Sequence, residues 1–122
     1  MPTQPDPITL SQVARRSTEI VDPRGLDDDV IHLYTQLEDD DRPITTVQDL
    51  EGRLALATEG LEDDGDNPVV QVAVATIIYL AHRRDEMDDD AEDVLRLAAR
   101  AEWKGHPPAS VQNWLEERGV EA

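Results

Sequence analysis

The run NPVVQVAVATIIYLAHRRDEM, residues 67–87, decides the fold. Wound at about 100° per residue, its apolar residues Val69, Val70, Val72, Val74, Ile77, Ile78, Tyr79 and Leu80 cover most of a helical circumference. The β-branched content would suit a strand as well, but about twenty residues without a turn signal favour a helix. Asn67 followed by Pro68 supplies an N-cap and a proline at the first helical position. A helix apolar nearly all round in a soluble chain belongs at the centre of its domain. The reading is therefore a central helix over residues 68–87 with the rest of the chain packed around it.

Outward from that run, every long segment also reads as helix. On the N-terminal side, Thr9 and Gln12 have capping-box spacing ahead of Leu10, Val13, Ala14 and Ile20. Asp27 or Asp28 caps a second helix carrying Val30, Ile31, Leu33, Tyr34 and Leu37. Thr45 and Gln48 repeat the capping-box spacing and open a third, with Val47, Leu50, Leu54, Ala57 and Leu61 inward. On the C-terminal side, Asp88 or Asp89 caps a fifth helix running to Lys104, with Glu92 and Arg96 paired on its outer face. A sixth covers residues 110–118, with Val111, Trp114 and Leu115 inward and Gly119 as its stop. The expectation is an all-α single compact domain of about six helices. Residues 1–8 are read as a flexible segment, 9–119 as the helical domain and 120–122 as a tail.

Composition bounds the function. The 122 residues carry 28 acidic and 11 basic side chains, a net charge of −17, and Lys104 is the only lysine. Phosphate recognition needs clustered basic residues, so direct binding to nucleic acid or anionic lipid is not expected. Excess Asp, scarce Lys and many Val, Ala and Thr look like the proteins of salt-in halophiles, in which molar salt screens dense carboxylates. Without cysteine there are no disulfides, thiol catalysis or Cys-ligated metals. Neither a signal peptide nor a membrane span is read, which points to the cytoplasm.

The acidic clusters at 27–29, 62–66 and 88–93 precede helices, where carboxylates cap N-termini and complement the helix dipole. Glu38, Asp39, Asp40 and Asp41 follow a helix instead, where the dipole disfavours anions, so these four are candidate interaction residues. An EF-hand fails: with Gly65 at loop position six, Gly60 stands at position one and Gln71 at twelve. Loosely bound surface cations are expected, but no cofactor and no built metal site. His82 with Asp85 or Glu86 is the nearest approach to a His–carboxylate metal centre, and no second histidine stands at ligand spacing. No nucleophile elbow, P-loop or dinucleotide fingerprint is present. Trp103 and Trp114 either lock the last two helices together or form an aromatic contact patch.

These readings converge on a non-enzymatic protein acting through protein–protein contacts or self-association. The alternatives are a nucleic-acid mimic that inhibits a basic DNA- or RNA-handling partner, and a metal-dependent enzyme built on His82.

Overall fold

The computed structural model describes residues 8–59 and 67–120. Within them the chain is all-α, with six α-helices and no strand. The expected acidic cluster at 62–66 and the inward Leu61 lie outside the described residues.

Helix α1, Leu10–Val21, opens on the expected capping box: Thr9 Oγ1 accepts from Gln12 N–H, and Gln12 Oε1 accepts from Thr9 N–H. Two further N–H groups of its first turn, on Leu10 and Ser11, donate to the carbonyls of Arg42 and Asp40 at 3.0 Å each. A helix start leaves such donors without internal partners, so the 40–44 segment completes α1. Ile44 N–H reaches Ile8 O at 2.8 Å, and Thr9 and Pro43 form an isolated antiparallel bridge. Asp22 ends the helix by accepting from Leu26 and Asp27 N–H, with Gly25 at φ +64° turning the chain. Asp27 then caps α2, Asp28–Leu37, by accepting from Asp29 and Val30 N–H.

The third helix starts later than the Thr45–Gln48 spacing predicts. Residues Ile44–Thr46 form a single 3-10 turn in which Thr46 Oγ1 bonds Pro43 O at 2.7 Å, and Val47 is extended. Asp49 is the cap of α3, Leu50–Thr58, accepting from Gly52 N–H at 3.1 Å. A carboxylate competes well for that role, and the extended Val47 removes the Thr45 alternative.

Helix α4, Pro68–His82, begins where predicted, with Asn67 Oδ1 accepting from Val69 N–H. It ends at His82 rather than near residue 87. The chain turns at Arg83, whose N–H bonds the carbonyls of Tyr79 and Leu80, and enters a 3-10 turn, Arg84–Glu86. Bonds that a continued helix would forgo hold the turn. Tyr79 Oη donates to Glu86, and Arg84 Nη1 donates to Ala81 O. From α1, Arg16 donates to Met87 O at 2.7 Å and Asp89 O at 2.9 Å.

Helix α5, Ala91–Trp103, follows Asp90, which makes no side-chain capping bond, so neither Asp88 nor Asp89 plays the expected part. Arg96 pairs with Asp93, three residues away, instead of Glu92. Lys104 (φ 53°) and Gly105 (φ 87°) reverse the chain before α6, Ala109–Glu117. Gly119, at φ 76°, lets Val120 N–H return to Leu115 O at 2.9 Å, and Val120 is buried in the core.

Helix α4 is the hub, packing against all five other helices. Val72, Ala73, Ile77 and Leu80 are essentially inaccessible, as are Leu10 and Val13 of α1, Leu33 of α2, Leu54 of α3, Val94 of α5 and Leu115 of α6. No helix of the described residues is long and apolar enough to cross a membrane.

Candidate functional site

The segment that follows α2 and the start of α3 converge on one shoulder of the molecule. Arg53 of α3 donates Nη2 to Gln36 O at the end of α2, at 2.8 Å, and Nε to Asp40 Oδ2, at 3.1 Å. Arg42 grips the same carboxylate in a fork, Nε to Oδ1 at 2.8 Å and Nη2 to Oδ2 at 2.7 Å. Two guanidinium groups thus share Asp40, whose side chain is only 9% exposed. The Arg42 hydrogen bond, seconded by Arg53, holds the Asp40 carboxyl well below the ordinary carboxylate range despite its burial. Asp41 accepts from Ser11 Oγ at 3.2 Å, and Asp39 is exposed.

The four residues singled out by sequence therefore separate. Asp40 fastens α2, α3 and the start of α1, which supplies the benefit that the helix dipole withholds there. Glu38 and Asp39 face solvent, and Asp41 does so while also bonding Ser11.

Concavities open on either side of the Arg42–Asp40–Arg53 bridge. One, of about 480 Å³, lies toward Gln36 and Asp39. The other, of about 430 Å³, runs between the 3-10 turn and α3 and is bordered by Val47 and Leu56. Leu56 is 62% exposed. Sequence reading passed over it, although the signal was there: two positions beyond Leu54 on a helix is about 200° around, nearly opposite the inward stripe. The other strongly exposed apolar residues, Leu26 and Ile31, occupy the N′ and N4 positions of α2, the spacing of a hydrophobic staple.

The remaining candidates sit elsewhere. Trp103 and Trp114 are half-buried against the core, and the Arg118 guanidinium lies 4.3 Å from the Trp114 ring centre. A stacked cation and a packed ring give Trp114 a structural place at the end of α6. His82 is exposed at the last turn of α4, and the Glu86 carboxylate is committed to Tyr79 and Arg83. Burial, then Glu86, pushes the Tyr79 phenol up to about 12. His82 instead borders a small cleft of about 260 Å³ with Asp49 and Glu51. Among the described residues, no three His, Asp or Glu side chains gather as a metal-binding group.

No protein-family model, curated protein or solved structure matches this chain.

Proposed function

We propose that this chain is a non-enzymatic protein that works through protein–protein contact, with the shoulder around Val47, Leu56 and Asp39 as its contact surface. The observation that carries the proposal is the exposure of Leu56 at the edge of a concavity. An exposed aliphatic group ringed by polar residues is the usual anatomy of a small recognition site. The polar groups around it have folding tasks: Asp49 caps α3, and Arg42 and Arg53 are both bonded to Asp40. That commitment favours a docking surface over a site of chemistry.

It also favours a docking surface over phosphate mimicry, which would need the 38–41 cluster as free negative charges. Asp40 is spent on two arginines. The rest of the acidity answers to a salt-rich cytoplasm in this reading, with loosely held cations as counterions.

Site-specific photo-crosslinking in the native cell tests the proposal. A photoreactive residue at position 56 should yield discrete adducts with another protein, and one at position 26 should not. Equal adducts at both positions, or none at 56, would refute the contact surface.

A further inference from the structure

We propose a binding site for a small organic cation, an alkylammonium group on a short aliphatic stem, in the cleft where α5 and α6 end. The site is separate from the Leu56 shoulder and does not rest on it.

The cleft has a volume of about 450 Å³, within the range of small-molecule sites. Gly105, His106 and Pro107 line it from the turn that follows α5. Gln112, Leu115 and Glu116 line it from α6, and Val120 from just beyond that helix. Backbone bonds fix both contributions. Lys104 and Gly105, each at positive φ, reverse the chain after α5, and His106 N–H donates to Trp103 O at 2.9 Å. Gly119, also at positive φ, returns Val120 N–H to Leu115 O.

The chemistry of the lining selects the ligand. Among the described residues that line the cleft, Glu116 is the only carboxylate, and no Lys or Arg stands with it. Glu116 makes no ion pair within the described residues, and the nearby Arg118 guanidinium lies over the Trp114 ring. Gln112 Nε2 donates to Glu116 Oε1 at 3.3 Å, which leaves Gln112 Oε1 and Glu116 Oε2 as acceptors. A neutral His106 imidazole keeps one further acceptor nitrogen. The backbone adds to this bias. Gly105 follows the C-terminal end of α5, and Leu115 and Glu116 belong to the last turn of α6, so the negative ends of two helix dipoles border the cleft.

An anion would meet Glu116 and both dipole ends. A metal ion would find only His106 and Glu116, and no three His, Asp or Glu side chains gather as a metal-binding group among the described residues. A cation that carries its own N–H donors needs acceptors alone, and a charged donor makes the stronger hydrogen bonds. Pro107, Leu115 and Val120 supply aliphatic carbon against which its stem can lie. The net charge of −17 draws cations to the whole surface, so the signature of a site is its location and its demand for N–H donors.

Pentylammonium is the probe, titrated into the protein at about 0.15 M KCl, where the Debye length is about 8 Å, and followed by amide NMR shifts. The shifts should saturate and centre on residues 105–107, 112, 115, 116 and 120. Glu116→Gln should weaken binding at least about tenfold, a loss of ~1.4 kcal/mol. Gln112→Ala should weaken it less. Glu117→Gln removes the same charge one residue outside the cleft and should leave binding unchanged. All three side chains are exposed, and circular dichroism of each variant checks that the fold is retained. Pentanol and pentanoate should bind at least about tenfold more weakly than pentylammonium, again ~1.4 kcal/mol.

Tetramethylammonium has the charge without the N–H donors. If it matches pentylammonium in the place and strength of its shifts, counterion attraction explains the binding and the inference falls. It falls as well if Glu116→Gln and Glu117→Gln have equal effects, or if no saturable shift appears at the cleft. Two sources carry an alkylammonium group, a free amine and a lysine side chain. Pentylammonium binding at least as tightly as Nα-acetyl-lysine methylamide would assign the site to a free amine, and the reverse order to a lysine.

Discussion

Replacing Asp40 with Asn tests the part of the molecule on which the shoulder depends. The wild-type carboxylate accepts from Arg42 at 2.7 and 2.8 Å and from Arg53 at 3.1 Å, while its backbone carbonyl accepts from Ser11 N–H. Asparagine keeps the shape and one acceptor oxygen but loses the charge and the fork. A hydrogen bond to a charged partner is worth about 1.5–3 kcal/mol where water is excluded, and an exposed ion pair only about 0–1 kcal/mol. Arg42 is solvent-exposed and Arg53 is 25% exposed, so the fork counts toward the lower figure and the Arg53 contact toward the higher. Asp40→Asn should therefore cost about 1–3 kcal/mol at neutral pH by urea denaturation, lowering Tm by roughly 3–6 °C per kcal/mol for a chain of this size. The pH dependence carries the sharper signature. In the folded chain Asp40 is held below its ordinary range, whereas unfolded it titrates near ~3.9. Its stabilisation is thus complete above the unfolded value and is lost as pH falls toward the depressed folded one. The gap between wild type and variant should be constant from neutral pH down to about 5 and narrow below about 4. Equal stability at pH 7, or a gap that persists unchanged in acid, would refute the assignment of Asp40 as a clasp.

Further outcomes follow from the same bonds. Arg16→Ala removes the links to Met87 O and Asp89 O; it should cost about 1–3 kcal/mol and speed amide exchange selectively in residues 84–90. Gly52→Ala should fail to stabilise α3 despite a helix-propensity gain of about 1 kcal/mol, because the new Cβ would stand 2.2 Å from Asp49 Oδ2 and displace a cap of similar worth. Chemical denaturation of Gly52→Ala beside Asp49→Ala would show whether the two effects share that cap. Ultraviolet titration should find Tyr79 ionising near about 12, and Glu86→Gln should lower that value. Since the folded phenol holds its proton past the unfolded value of about 10, its contribution to stability is full below about 10 and falls as pH rises toward about 12. Thermal melting followed by circular dichroism across KCl should show Tm rising to molar concentrations as the −17 charge is screened, and a flat response would detach the acidity from salt adaptation.

Much of the fold was legible because its signals were local. The Thr9–Gln12 box, the Asp27 cap and the Asn67–Pro68 start each depend on residues within a single turn, and each forms as read. The central helix was legible because no surface position of a small domain can tolerate so many apolar faces. The errors fall where a distant residue decides. Helix α4 stops at His82 because Glu86 finds Tyr79 and Arg83, and because Arg16, on another helix, reaches the carbonyls of Met87 and Asp89. Nothing near residue 82 announces a guanidinium from position 16. The third helix was misplaced for a related reason: two capping signals compete between 45 and 49, and the pairing of Ile8 and Leu10 with 42–44 leaves only the later one in register.

The acidic side chains divide by the same criterion, and the division bears on function. Asp22, Asp27, Asp40 and Asp49 each accept hydrogen bonds that end a helix, start one or join two, so their charge is consumed by the fold. Glu38, Asp39 and Glu51 are exposed and make no such bond within the described residues. Sequence shows all seven as the same kind of residue, which is why the 38–41 run read as a uniform cluster. Once Asp40 is removed from that cluster, what remains is a few exposed carboxylates rather than a phosphate-like row. Such carboxylates repel other acidic chains over distances that salt can shorten, while an apolar contact through Leu56 would gain strength as salt rises. The two terms respond oppositely to ionic strength, so a partner that needs both should show a shallower salt dependence than one held by the carboxylates alone.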